Sequence, residues 1–385
     1  MRNFKYIFFI IIFLLIFIVL NYYIGKRIFS TISNLHKINK KIFWILFWFI
    51  AFSYIVYALL NKYFPKYLSS PIMYIGIHYM AISIYLLILF FITDIFLIIN
   101  KKFNFFPNIK DKSLLFSLIF CILIIALVAI GSFNANNSYV KNYDIKIDKD
   151  FKEEKLNIVL ISDIHLGDII GNSRLQNMVS EINNLNPDIV LISGDLIDSS
   201  IKPFIENNMA SQLGKIKSKY GTFFSLGNHD IFDNKIEQLS SLLTNEGINV
   251  LRDNYKLINN SFYIVGRDDV SISRIKEKRK YIKDIINDID NSKPIILIDH
   301  NPSSINESLE SNIDLQVSGH THKGQLIPFN LITKCIFENH YGYMRKNNFN
   351  IVVSSGYGTW GPPLRIGSRS EIVNITLQKI HNVNP

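Results

Sequence analysis

The sequence predicts a two-part molecule: an N-terminal all-α transmembrane bundle of four helices, followed by a C-terminal α/β domain. Three observations carry this. Four long apolar runs crowd the first third of the chain. Short runs rich in Ile and Val alternate with helix-like stretches through the rest. The charge divides at the same place: residues 1–140 hold 13 Lys and Arg against two acids, Asp94 and Asp111, whereas 141–385 hold 28 against 29. With 49% hydrophobic and 19% charged residues overall, the chain is too apolar for a purely soluble protein and too charged for a purely membrane-embedded one.

The apolar runs cover 4–24, 42–60, 72–99 and 114–131, and each is near the roughly 20 residues that a membrane-crossing helix needs. The first follows Arg2 and Lys5, like a secretory leader. It is too long for one, and the bulky Asn21-Tyr22-Tyr23 offers no small-residue cleavage site, so it reads as an uncleaved span. Sidedness follows from basic residues in short loops. Lys26, Arg27, Lys37, Lys40, Lys41, Lys101, Lys102, Lys110 and Lys112 fall on one side, and Arg2, Lys5, Lys62 and Lys66 on the other. The imbalance puts both termini, and the α/β domain, outside the cytoplasm; a miscounted span would invert this. The expected location is thus the cell membrane, multi-pass, with an extracytoplasmic domain. Asp94 is expected to reach headgroups near a span end, and His78 to hydrogen-bond another helix; neither suggests a proton relay. With so few polar residues in the spans, a transporter finds no pathway. The basic excess belongs to the membrane part, so no nucleic-acid partner is expected. Cys121 and Cys335 lie at no metal or redox spacing.

The expected division is 1–131 transmembrane, 132–155 a polar linker rich in Asn and Lys, and 156–385 the α/β domain. In the last, β-like runs occupy 156–162, 188–193, 221–226, 262–266, 294–299, 313–318, 350–355 and 371–378. Between the first two, apolar residues at 175, 178, 179, 182 and 185 have helical spacing. Strands separated by helices imply a layered domain with mostly parallel connections.

Five β-like runs end in polar residues of one chemical kind. These are Asp163 and His165, Asp195 and Asp198, Asn228 and His229, His300, and His320 with His322. Sites in open α/β sheets form beyond the carboxyl ends of strands, so five strands of one sheet would deliver these groups to a common rim. On extended backbone, residues i and i+2 share a face, which would aim Asp163 with His165, and His320 with His322, the same way. Imidazole, carboxylate and amide donors without a thiolate suit two divalent cations such as Mn, Fe or Zn. Singly each motif is weak: Asp-x-His decorates many surfaces, Gly-Asp marks turns, and Asn-His-Asp can cap a helix. Their force lies in occurring together, in order, each behind an apolar run. No G-x-S-x-G elbow and no P-loop is present.

The ordered set Asp163-x-His165, Gly194-Asp195-x-x-Asp198, Gly227-Asn228-His229-Asp230, His300 and Gly319-His320-x-His322 resembles the calcineurin-like metallophosphoesterase superfamily. The stretches Gly319–Pro328 and Gly356–Arg365 look like its membrane-associated bacterial branch. The resemblance covers about 155–378 and implies a layered αββα sandwich. It also implies roles. Asp163, His165 and His322 would bind one metal, Asn228, His300 and His320 the other, and Asp195 would bridge them. His229 would donate a proton to the leaving oxygen, oriented by Asp198. Lys323 departs from the branch, which has Gly there; it would assist phosphate binding or face solvent. Arg365 would bind substrate phosphate or form a surface salt bridge, and Trp360 would line a groove or meet the membrane interface. The implied chemistry is in-line attack by metal-activated water on a phosphoester, either lipid-linked or at the cell surface. A non-catalytic membrane scaffold or sensor retaining the fold is the competing reading; its mark would be lost ligands, and none is missing.

Overall fold

The structure is a computed structural model that describes residues 2–33, 36–106 and 113–380. Lys110, Asp111 and Lys112, which entered the charge and sidedness arguments, lie outside the described residues. The chain forms two compact units, Met1–Ile130 with Gly361–Pro363, and Gly131–Trp360 with Leu364–Pro385.

The first unit contains α1 (Arg2–Ser33), α2 (Lys40–Leu60), α3 (Lys66–Phe103) and most of α4 (Ser113–Asn136). Each is long and apolar enough to cross a membrane. Asn39 starts α2 by accepting hydrogen bonds from the Lys41 and Ile42 amides at 2.9 and 3.3 Å, the usual way a cap satisfies free first-turn donors. Gly76 of α3 lies against the backbone of Tyr54 in α2, where an added Cβ would sit 2.7 Å from the Tyr54 Cα; small residues at such crossings let membrane helices approach closely. One expectation is extended here and another changes. Asp94 pairs with Arg27 at 2.9 Å and accepts from the Tyr23 hydroxyl at 2.6 Å, so it also joins α3 to α1. The His78 Nδ1 meets the carbonyl of Tyr74 at 2.8 Å on its own helix, not another helix, because residues four apart stack on one helical face.

In the second unit the strands are β1 (Tyr139–Ile147), β2 (Lys155–Ile161), β3 (Ile189–Ser193), β4 (Thr222–Ser225), β5 (Asn249–Val250), β6 (Asn254–Ile258), β7 (Phe262–Arg267), β8 (Ile295–Asp299), β9 (Leu315–Ser318), β10 (Gly342–Lys346), β11 (Phe349–Val353) and β12 (Glu371–Lys379). They build two sheets, ordered β1-β12-β2-β3-β4-β5 and β10-β11-β9-β8-β7-β6. All neighbours are parallel except β12–β2, β10–β11 and β6–β7.

Side chains alternate across each strand and fix the layers. On β3, Ile189 and Leu191 face the second sheet, and Val190 and Ile192 face outward. Ile158 and Leu160 of β2 and Phe223 of β4 join the inner layer, where they meet Ile296 and Ile298 of β8 and Leu315 and Val317 of β9. The outward face of the first sheet packs on helices including Asn172–Asn184, through Leu175, Met178, Val179 and Ile182, the positions that helical spacing marks. On the second sheet, Ile295, Leu297, Ile351 and Val353 cover a third apolar layer. Both sheets are therefore buried on both faces, which explains why their strands read as unbroken apolar runs. The result is an αββα sandwich.

Two sequence expectations are corrected. The segment 132–155 holds the end of α4 and the strand β1, which runs parallel to β12 at the sheet edge. Asn142 and Lys146 occupy the exposed side of this edge strand, where polar and charged residues discourage further pairing. The five motif-bearing strands also do not share one sheet: β2, β3 and β4 lie in the first, and β8 and β9 in the second.

At the end of the sandwich where β2 and β4 begin, Glu153 pins the two sheets. It accepts from Tyr220 at 2.6 Å, Asn259 at 2.9 Å and Ser261 at 2.9 Å. Partial burial pushes this carboxyl up, but the hydrogen bonds outweigh that and hold it at about 2. A group depressed in the folded state stabilises fully above its unfolded pKa, and that contribution is lost as pH falls through the folded value. Glu153→Gln should therefore lower stability at neutral pH by about 1–2 kcal/mol, allowing for solvent screening. In thermal unfolding, the gap between the two proteins should shrink as pH drops from 4.5 toward 2.

Candidate metal centre

Parallel strands in both sheets bring β2, β3, β4, β8 and β9 to a common end, where each stops and the chain turns. The stops have an unusual backbone. Asp163, His165, Asp195, His320 and His322 all have positive φ, of 51°, 53°, 51°, 69° and 49°. For residues other than Gly this conformation is uncommon, though Asp and His tolerate it better than most, and such strain gathers at functional sites. It also corrects the reasoning from extended backbone. Asp163 and His165 do converge, but through a left-handed turn. His320 and His322 diverge: His322 joins Asp163 and His165, whereas His320 joins Asp195 and His300.

Within each of these two groups, one potential ligand atom per residue lies within 4.8 Å of the others. The His165 and His322 Nε2 atoms are 3.1 Å apart, and His322 Nε2 is 3.2 Å from Asp163 Oδ1. Asp195 stands between the groups, its Oδ2 lying 3.2 Å from His300 Nε2 and 4.0 Å from His165 Nε2. Asn228 contributes Oδ1, 2.8 Å from His320 Nδ1.

Surrounding bonds hold these groups in place. The Asp163 carboxylate accepts from Ser162 Oγ at 2.6 Å and from the His320 amide at 3.1 Å. Asp195 Oδ1 accepts from the His229 amide at 2.8 Å. His300 Nδ1 faces the carbonyl of Ser193 at 2.8 Å, which turns Nε2 toward Asp195. This is the common arrangement of a metal-binding imidazole, with the second ring nitrogen bonded to a carbonyl. Gly319 lies so close that any side chain there would collide with Ser162 Oγ and the Asp163 carboxylate.

Burial dominates the electrostatics. It pushes Asp163 up to about 6, with Asp195 adding to the rise against the pull of His300. It pushes His165 down to about 3 and His320 to about 4, in each case aided by the charge on His300. His322 falls well below its ordinary value for the same reason, with help from His165 and Arg365. Burial acts the other way on the central pair, and loses. Asp195 is held well below the carboxylate range by His300, and His300 is raised well above the imidazole range by Asp195. Asp195 thus draws positive charge toward itself while three imidazoles stay neutral, the state in which they donate lone pairs. The buried His165 Nδ1 has no hydrogen-bond partner, and His300 Nε2 meets the Asp195 carboxylate alone. Neutral imidazole, carboxylate and amide donors with unpartnered buried nitrogen fit divalent cations of the Mn, Fe or Zn type.

The remaining candidates sit differently. His229 turns Nδ1 to the backbone carbonyl of Asp198. The Asp198 carboxylate is 4.0 Å from the His229 Nδ1 and 3.6 Å from the His165 Nδ1, so Asp198 orients His229 through its main chain. His229 also approaches His165 and Asp195 closely enough to count among potential ligands. Arg365 is neither at the surface nor open to substrate: it is 0% exposed and caps the carbonyls of Ser355, Gly356 and Gly358. A guanidinium with five donors can satisfy several carbonyls of a tight loop at once. Its Nη2 is also 3.4 Å from the His322 Nδ1, directly behind the site. Lys323 places its ammonium 4.2 Å from the centre of the Tyr341 ring, and its φ of 52° explains why a Gly suits this position.

Three supporting residues escaped the sequence reading. Asp230 is buried and receives the amides of Ile197 and Gly227 at 3.0 and 2.8 Å, fastening two site loops together; burial and Asp195 raise it to about 7. Glu371 accepts from Ser355 N at 2.6 Å and from the hydroxyls of Tyr139 and Tyr341 at 3.0 Å. Ser162 ties Asp163 to the carbonyl of Ser193 at 2.7 Å. Only Asp230 carried a signal, by closing the Gly-Asn-His-Asp motif; the others reach their partners through tertiary contacts.

Comparison with known proteins identifies the family. The calcineurin-like phosphoesterase family model matches residues 156–324. An uncharacterised metallophosphoesterase of Campylobacter jejuni is 31% identical over 380 residues, covering 97% of this chain and 99% of that protein. A transmembrane protein with metallophosphoesterase domain from Danio rerio is 35% identical over 253 residues, 62% of this chain and 57% of that protein. Among solved structures, a dimetal phosphatase from Danio rerio is similar at 12% identity and a TM-score of 0.36, over 57% of this chain and 98% of that one. The chain belongs to the calcineurin-like metallophosphoesterase family. It spans only a little over half of the fish relative's length but nearly all of the bacterial one's.

Proposed function

We propose that this chain is a membrane-anchored phosphoester hydrolase with a two-cation centre. Asp163, His165 and His322 would hold one cation, Asn228, His300 and His320 the other, and Asp195 would bridge them. The observation that carries this reading is the buried Asp195 carboxylate standing between two histidine groups, beside a buried His165 nitrogen without a partner. When bound, two such cations neutralise phosphate oxygens and acidify water to a pKa near 7. This chain's own groups do the rest. Ser162 and the His320 amide fix Asp163, the Ser193 carbonyl fixes His300, and the His229 amide fixes Asp195. With Nδ1 turned to the Asp198 carbonyl, His229 keeps Nε2 for proton exchange with the leaving oxygen.

Two expectations test the chemistry. Asp195→Asn should abolish phosphatase activity of the detergent-solubilised chain toward an aryl phosphate with added Mn²⁺. His229→Gln should retain metal but lose about 10²–10⁴-fold in kcat, the usual contribution of a general acid. Full activity in either variant would sink the assignment.

The anchor favours a phosphoester presented at the membrane, lipid-linked or on the cell surface. The loop charges favour an extracytoplasmic catalytic domain in a multi-pass protein. Protease added to intact cells should then cut the C-terminal domain, and protection from protease until the cells are lysed would reverse this orientation.

A further inference from the structure

The helix Phe329–Ile336 is built inside out. Its polar residues Asn330 and Thr333 are half-buried, and Asn330 lies against Gly324, where an added side chain would collide with it. Its apolar residues point away from the domain: Leu331, Ile332 and Ile336 are 60%, 53% and 66% exposed. Phe329, Ile327 just before the helix, and Trp360 are exposed as well, and the Trp360 amide is held by the Gln325 side chain, two residues before Ile327, at 2.8 Å. Scattered apolar residues on a surface mean little, but a contiguous patch marks an interaction face. The only charged residue of the helix is the exposed Lys334.

The patch has a position as well as a composition. The span Leu118–Asn136 is long and apolar enough to cross a membrane, so its last turn lies near a bilayer surface. Toward that end of the span, the Gly131 carbonyl accepts from the Arg365 amide at 2.9 Å, and Asn134 donates to the Arg365 carbonyl at 3.2 Å. The next residue, Ile366, exchanges backbone hydrogen bonds of 2.9 Å with Gln325 and Ile327. Two hydrogen-bonded steps thus connect the end of the span to the start of the inside-out helix. At the other end of this helix, the Phe337 ring lies 5.9 Å from that of His320, at the candidate metal centre.

We propose that Phe329–Ile336, with Ile327 and Trp360, is an interfacial docking surface that inserts its apolar face into the lipid bilayer. An apolar face beside a lone lysine, at headgroup level, has the composition of an in-plane membrane helix. Its consequence, resting on the hydrolase reading above, is that the centre opens onto lipid headgroups, and its substrates are phosphoesters borne by the bilayer.

Trp44→Phe and Trp48→Phe leave Trp360 as the sole tryptophan of the full chain. In phosphatidylcholine–phosphatidylglycerol vesicles, its emission should be blue-shifted and quenched by lipids brominated near the headgroup. Leu331→Asp with Ile332→Asp should remove the quenching. In the wild-type background, the same pair should raise KM for a vesicle-borne phosphoester on the order of tenfold, what burying one Leu side chain is worth, and leave hydrolysis of a soluble aryl phosphate unchanged. Water-exposed emission insensitive to brominated lipid overturns the proposal. Emission shielded in detergent and insensitive to brominated lipid also overturns it, in favour of a second copy of the chain on this face. The fluorescence result stands whether or not the protein hydrolyses phosphoesters.

Discussion

A buried carboxylate needs positive charge near it, and in this protein Asp195 is that carboxylate. Removing an ionised group from water costs several kcal/mol even after the protein relaxes. The fold meets the demand by setting His300 3.2 Å away and the His229 amide at 2.8 Å, and by placing a second histidine group on the opposite side. Divalent cations would meet the same demand more fully. The supporting bonds from Ser162, Asp230 and the Ser193 carbonyl follow from it, since a ligand that could rotate away would leave a charge unpaired.

The sandwich supplies the place. Two sheets with buried faces and aligned parallel strands end at one edge, so turns distant in sequence become neighbours. Left-handed backbone at five of the seven proposed ligands re-aims side chains that an extended strand would send elsewhere. This is why His320 and His322, two residues apart, serve different groups. Arg365, buried behind His322, stabilises the tight loop 355–358 on which that side of the site rests.

Much of this was legible in the sequence because it is periodic or local. The four long apolar helices follow from length and apolarity, and the central strands from Ile and Val runs such as LNIVLIS and PIILID. Each proposed ligand stands directly behind such a run. What was not legible depends on partners far along the chain. The polar strand β1 exists because β12, more than 200 residues later, offers it an edge. The division of five strands between two sheets depends on which faces pack together, which no single strand encodes. Arg365 read as a surface or phosphate-binding residue because its sequence neighbours say nothing of the carbonyls that surround it. The φ values of Asp163 and His322 are likewise a tertiary outcome, and they overturn the extended-strand argument while leaving its residues in place.

The most direct test of the central claim is an electron paramagnetic resonance titration of the metal-free full-length chain with Mn²⁺ in detergent. Two cations bridged by one carboxylate, about 3.5–4 Å apart, should give a spin-coupled spectrum that saturates at two equivalents per chain. An uncoupled signal, or saturation at a single equivalent, would contradict the account.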